Sequence, residues 1–159
     1  MGTVANNIGR SLLIAGKPAD AKPYLEKALD LWRRTRPADH DLAIPLNSLA
    51  MIDIARHDYG SAETKLDEAL KICEVRSFWL TDQVLTNLAD VYARTGRAAQ
   101  AEKLLTRARA LLAKQYPHDT MPDEAWRYAL QDAVLATSYA AEKKYPQARK
   151  LLTDALPVV

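Results

Sequence analysis

Hydrophobic and small residues fall into a register that occurs four times along the chain. Ile8-Gly9, Leu49-Ala50, Leu88-Ala89 and Leu135-Ala136 each pair an apolar residue with a small one. Twelve residues after the small anchor stands an alanine, at Ala21, Ala62, Ala101 and Ala148. Four further on comes Leu25, Leu66, Leu105 or Leu152, and three beyond that Ala28, Ala69, Ala108 or Ala155. Apolar positions recur at three- and four-residue steps, the period of an amphipathic helix, and a break separates each anchor from its alanine. Every copy therefore predicts two helices joined by a tight turn. Gly16 and Gly96 stand in two of the breaks, where glycine suits a helix end that turns through left-handed backbone angles. His57 and Lys143 hold the matching places, so those turns must form without glycine. Pro18 and Pro146 fall at or near the start of second helices, where a missing N–H costs little.

The small columns have a steric reason. Two antiparallel helices joined by a short turn approach closely only where side chains are short, so Gly9 should face Ala21 and Ala50 should face Ala62, with leucines filling the flanks. A large residue at these columns would overpack the crossing at a cost of ~1–3 kcal/mol.

The third copy, with Leu88, Ala89, Tyr92, Gly96, Ala101, Leu105 and Ala108, carries the tetratricopeptide signature, and the four copies together resemble that family over nearly the whole chain. Anchors recur at intervals of 41, 39 and 47 residues, longer than the family's usual repeat and also suited to HEAT or armadillo repeats. The spacing of small residues and turn favours the tetratricopeptide reading, with the surplus lying between copies. The connectors 35–43 and 116–125 are rich in Asp, His and Pro, and look like those of kinesin-light-chain-like, long-period arrays. The resemblance implies an all-α, right-handed superhelical solenoid of four antiparallel helix pairs. It spans 1–159 as a single domain, with repeats near 1–38, 39–77, 78–118 and 119–157.

It also implies a concave groove lined by the first helices, holding an extended or helical peptide. By position on those helices the groove residues are Asn6, Asn7, Arg10, Asn47, Met51, Asn87, Asp90 and Arg94, on a stripe that also holds Thr86 and Ala93 and ends in a bland fourth copy at Ala133, Thr137, Ala140 and Ala141. Asparagine amides donate to and accept from a peptide backbone at once, and arginine forks pair with ligand carboxylates. The acidic-tail clamp of chaperone-binding relatives needs several converging basic residues, whereas Met51 and Asp90 occupy such places here. The implied work is a non-catalytic scaffold or adaptor for a protein or peptide partner. No polar capping helix follows the fourth copy, although solenoids usually need one. Either the chain is a piece of a longer array, or its open end, carrying Leu151, Leu152 and Leu156, packs against another chain as a self-association module.

Composition narrows the alternatives. The 159 residues carry 22 basic and 20 acidic side chains and one cysteine. The absence of a basic block speaks against nucleic acid, and a lone Cys73 against a disulfide-stapled secreted domain. No apolar run reaches membrane-spanning length, and the N-terminus lacks a signal-peptide pattern, so a cytoplasmic location without membrane contact is expected. His40, His57 and His118 lack the spacing of a metal site, and Gly9 to Gly16-Lys17 fails as a phosphate loop, so neither catalysis, cofactor nor metal is expected. Arg33-Arg34-Arg36 and Lys143-Lys144 with Arg149-Lys150 read as solvated helix ends. Cys73 shares a column with Trp32, Leu112 and Val159, which makes it a core residue. Asp53 interrupts a column of Leu12, Tyr92 and Tyr139 and is expected to hydrogen-bond His57, one turn on. Trp32, Trp79 and Trp126 are expected to fill space between repeats.

Overall fold

The computed structural model describes residues 1–76, 79–115 and 125–155. It divides into two compact units, Met1–Leu80 and Thr81–Val159. The first holds α1 (Gly2–Ile14) paired with α2 (Pro18–Thr35), a 3-10 turn at His40–Leu42, and α3 (Ala43–Ala55) paired with α4 (Tyr59–Arg76). The second pairs α5 (Thr81–Arg94) with α6 (Ala98–Gln115) and α7 (Ala125–Ala141) with α8 (Tyr145–Ala155). Within the first unit α3 also packs on α1 and α2; within the second, α7 packs on α5 and α6. This is the expected all-α helical-repeat fold.

One turn geometry joins all four hairpins. Gly16, His57, Gly96 and Lys143 adopt φ of 71°, 62°, 79° and 61°. In each turn the N–H of the following residue donates five positions back: Lys17 to the Leu12 carbonyl at 2.9 Å, Asp58 to Asp53 at 2.9 Å, Arg97 to Tyr92 at 2.8 Å and Lys144 to Tyr139 at 2.8 Å. The left-handed residue itself donates to the carbonyl three back. That is the Schellman arrangement, which satisfies the last carbonyls of the first helix while reversing the chain. Glycine adopts the required angles without strain; His57 and Lys143 carry a β-carbon into them. Asp58 then caps α4, its Oδ1 accepting from the Ser61 N–H at 3.1 Å; hydrogen bonding from the Ser61 side chain and, after it, this N–H holds the Asp58 carboxyl below the usual range.

The predicted small columns form the cores of the hairpins. Ala21, Leu25, Ala28, Ala62, Leu66, Ala69, Ala101, Leu105 and Ala108 are buried. A β-carbon on Gly9 would lie 2.7 Å from Leu25 Cγ and 3.2 Å from the Ala21 carbonyl, so the close approach of α1 to α2 depends on that glycine. Cys73 is buried, as its column requires. Trp32 is buried near the end of α2. A β-carbon on Gly2 would lie 2.2 Å from its Nε1, so the indole fills space against its own hairpin's first helix, with the Arg36 guanidinium 5.0 Å from the ring centre. Trp79 and Trp126 are partly exposed. Leu152 also breaks its column, at 47% exposed where Leu25, Leu66 and Leu105 are buried.

Candidate functional site

In the first unit the expected lining residues occupy two depths. Asn7 and Arg10 on α1 and Met51 on α3 are exposed, whereas Asn6 and Asn47 are buried. The reason is helix-to-helix packing: α1 packs on α3 as well as on α2, so the position three before the anchor turns away from solvent. Asn6 Nδ2 leans toward Asn7 Oδ1 at 3.5 Å, and Asn6 Oδ1 is buried with no hydrogen-bond partner. The face therefore presents an unused acceptor beneath an exposed amide and an exposed guanidinium.

The second unit differs. Asn87 and Asp90 on α5 are partly buried, and Arg94 Nε donates to Asp90 Oδ1 at 2.8 Å, one turn away. Expected as a grip for ligand carboxylates, Arg94 instead has a carboxylate partner on its own helix. Two other residues of the expected stripe, Thr86 and Ala93, are buried: Thr86 Oγ1 donates to the Asp82 carbonyl at 2.7 Å, and Ala93 joins a core cluster with Val134 of α7. Of the self-association candidates, Leu151 is partly buried, Leu152 is exposed and Leu156 lies outside the described residues.

Asp53 finds a different partner from the one expected. Its Oδ2 accepts from Lys65 Nζ of α4 at 2.6 Å, while His57 Nδ1 meets the Tyr59 hydroxyl at 2.8 Å. His57 has left the helix with φ of 62°, so a helical i,i+4 alignment with Asp53 is lost. The basic cluster at 33–36 is balanced locally. Arg33 Nη2 donates to both Glu68 carboxylate oxygens at 2.6 and 2.7 Å, Arg34 pairs with Asp30, and Arg36 with Asp39 at 2.7 Å. Asp39, His40 and Asp41 bring ligand-type atoms within 4.8 Å of one another. Asp39 already serves Arg36 and accepts from the Asp41 N–H at 2.9 Å, so the cluster is explained by its turn.

Sequence reasoning missed two buried polar features of the second unit. Arg127 of α7 donates to Asp82 of α5 at 2.5 Å, with both side chains almost fully buried. Burial pushes the Asp82 carboxyl above its usual range, and Arg127 opposes that shift. Gln131, one turn beyond Arg127, is buried as well. A signal existed in the columns: Asp82 stands where the other copies have Gly2, Ala43 and Ala129, and Gln131 where they have Val4, Pro45 and Val84.

Antiparallel helix pairs on one register, closed by one turn type, define a helical-repeat protein. Residues 1–74 match a family model described as tetratricopeptide repeat. That match covers most of the first unit, and the same columns and turns recur in the second, which supports a tetratricopeptide-repeat fold for the chain. No curated protein matches the sequence. Tetratricopeptide repeats in general mediate protein–protein interactions as non-catalytic scaffolds. Among the described residues no helix is long and apolar enough to cross a membrane.

Proposed function

We propose that the chain is a non-catalytic adaptor that holds an extended segment of a partner protein against its first helices. The observation that carries this reading is Asn6. A buried amide oxygen without a partner is costly unless something docks on it, and here it sits beside exposed Asn7 and Arg10. A peptide backbone N–H satisfies that oxygen, Asn7 extends the grip, Arg10 takes a ligand carboxylate, and half-exposed Met51 offers an adaptable apolar contact. On the second unit Asn87, Asp90 and Arg94 form a separate polar patch, where a ligand of mixed charge competes with the Asp90–Arg94 pair.

Peptide display against the purified chain and against an Asn7→Ala, Arg10→Ala, Met51→Ala variant tests this. A motif enriched on the wild type and lost on the variant is expected; equal enrichment on both would overturn the reading. The exposure of Leu152, whose column is otherwise core, favours a second reading, self-association through α8. Sedimentation at several concentrations, with Leu152→Asp as control, separates the two, because only self-association gives a mass that rises with concentration and falls in the variant.

A further inference from the structure

The fourth hairpin carries a polar residue in a column that is apolar in the other three. Five residues before the anchor stand Val4, Pro45, Val84 and Gln131. Val4 of the first helix is exposed, whereas Pro45 and Val84, like Gln131, are buried; of the three buried members only Gln131, 2% exposed, is polar. Neither its Nε2 nor its Oε1 has a hydrogen-bond partner. Buried polar side chains are overwhelmingly paired, so an amide unsatisfied at both ends asks for an explanation.

Gln131 lines a cleft. It lies between α6 and α7, has a volume of about 160 Å³, and is bounded by Gln131, Leu135 and Tyr139 on one side and Glu102, Thr106 and Arg109 on the other. Thr106 and Arg109 are exposed, so the cleft reaches the surface. Arg109 is fixed at the rim by a fork on Asp132, at 2.8 and 3.2 Å, which neutralises its charge. A cavity of roughly this size takes a group as large as benzene, enough for one side chain and too little for a folded segment. On α7, Gln131, Leu135 and Tyr139 form a stripe opposite the one carrying Ala133 and Thr137, so this cleft is separate from any first-helix peptide face.

The chemistry selects the occupant. Gln131 offers a donor and an acceptor side by side, and the group that meets both at once is another primary carboxamide. A carboxylate would accept from Nε2 but turn negative oxygens toward Oε1 and Glu102. An ammonium would serve Oε1 alone. Leu135 and the Tyr139 ring suit the methylenes that carry a side-chain amide. We propose that this cleft receives the asparagine or glutamine side chain of a partner polypeptide, read by Gln131.

Three blocked amino acids serve as probes against the full chain: the N-acetyl methylamides of glutamine, glutamate and leucine, which share a backbone and differ in the side chain. The readout is the NMR signal of the Gln131 side-chain NH₂ and the Leu135 methyls. The glutamine probe should shift both saturably, with the other two at least tenfold weaker. Gln131→Leu should erase that preference in the methyl signals. Thr106→Trp, at an exposed rim position that spares the core, should block the cleft should Gln131→Leu fail to fold. Equal shifts from all three probes, shifts that survive Thr106→Trp, or a Gln131 NH₂ in contact with long-lived water and moved by no probe would overturn the proposal.

Discussion

Lys143→Gly should stabilise the protein, although glycine is ordinarily the poorer residue next to a helix. Lys143 holds φ of 61° at the C-terminal turn of α7, where the repeat's first and third copies place Gly16 and Gly96. A β-carbon in that region costs ~1–2 kcal/mol, while glycine gives back roughly 0.5–1 kcal/mol through the larger entropy of its unfolded chain. The net gain is therefore about 0–1.5 kcal/mol, with a middle value of about 0.8 kcal/mol. The side chain is exposed, so little packing is sacrificed. Urea titration of wild type, Lys143→Gly and Lys143→Ala reads the effect as a rise in midpoint at constant slope. Alanine keeps the β-carbon and should leave the midpoint near that of wild type. If alanine gains as much as glycine, or if glycine destabilises, the left-handed turn is not where the strain resides. His57→Gly relieves the same strain but loses the 2.8 Å contact with Tyr59, so its gain should be smaller.

The remaining predictions concern the core and its charges. Gly9→Leu should cost ~1–3 kcal/mol in the same titration by overpacking against Leu25 and the Ala21 carbonyl; a neutral result would mean that α1 and α2 do not approach as closely as described. Lys65→Ala leaves the buried Asp53 carboxylate without its 2.6 Å partner, at a cost of about 1–3 kcal/mol that a double-mutant cycle with Asp53→Asn should show to be shared. No coupling, together with coupling to His57→Ala, would restore the sequence-based pairing. For Asp82 the folded-state value is raised by burial, so the folded chain keeps a proton that the unfolded chain has released. Its contribution is full below the ordinary carboxylate value near ~3.9 and is lost as pH rises through the raised folded value. The stability of wild type relative to Asp82→Asn should therefore grow as pH falls from neutral into that range; growth in the opposite direction contradicts the assignment.

How much was legible follows from range. The turns at Gly16, His57, Gly96 and Lys143 could be placed from spacing alone, because a Schellman turn is set by residues within six positions of one another. The small columns were legible for a similar reason, each hairpin packing a nearby stretch against itself. Depth on the first helices was not legible. Asn6, Asn47, Thr86 and Ala93 look like groove residues when a first helix is viewed against its own partner, yet they are buried, and for Ala93 the neighbour is the first helix of the next hairpin. Charge partners were illegible where they crossed elements: Lys65 reaches Asp53 from α4, and Arg127 reaches Asp82 across 45 positions. Gln131 and Asp82 did leave a trace, as polar residues in apolar or small columns. The columns used to find the repeat were its most uniform ones, and the informative exceptions lay beside them.

On the proposed reading a partner segment lies on the first helices of the first unit. The most direct measurement is the backbone and side-chain amide NMR map of the labelled chain titrated with a peptide recovered by display. The largest shifts should fall on Asn6, Asn7, Arg10, Asn47 and Met51, including the Asn6 carboxamide. Shifts confined to the exposed face of α2, such as Lys27 and Arg34, with the Asn6 amide unmoved, would contradict it.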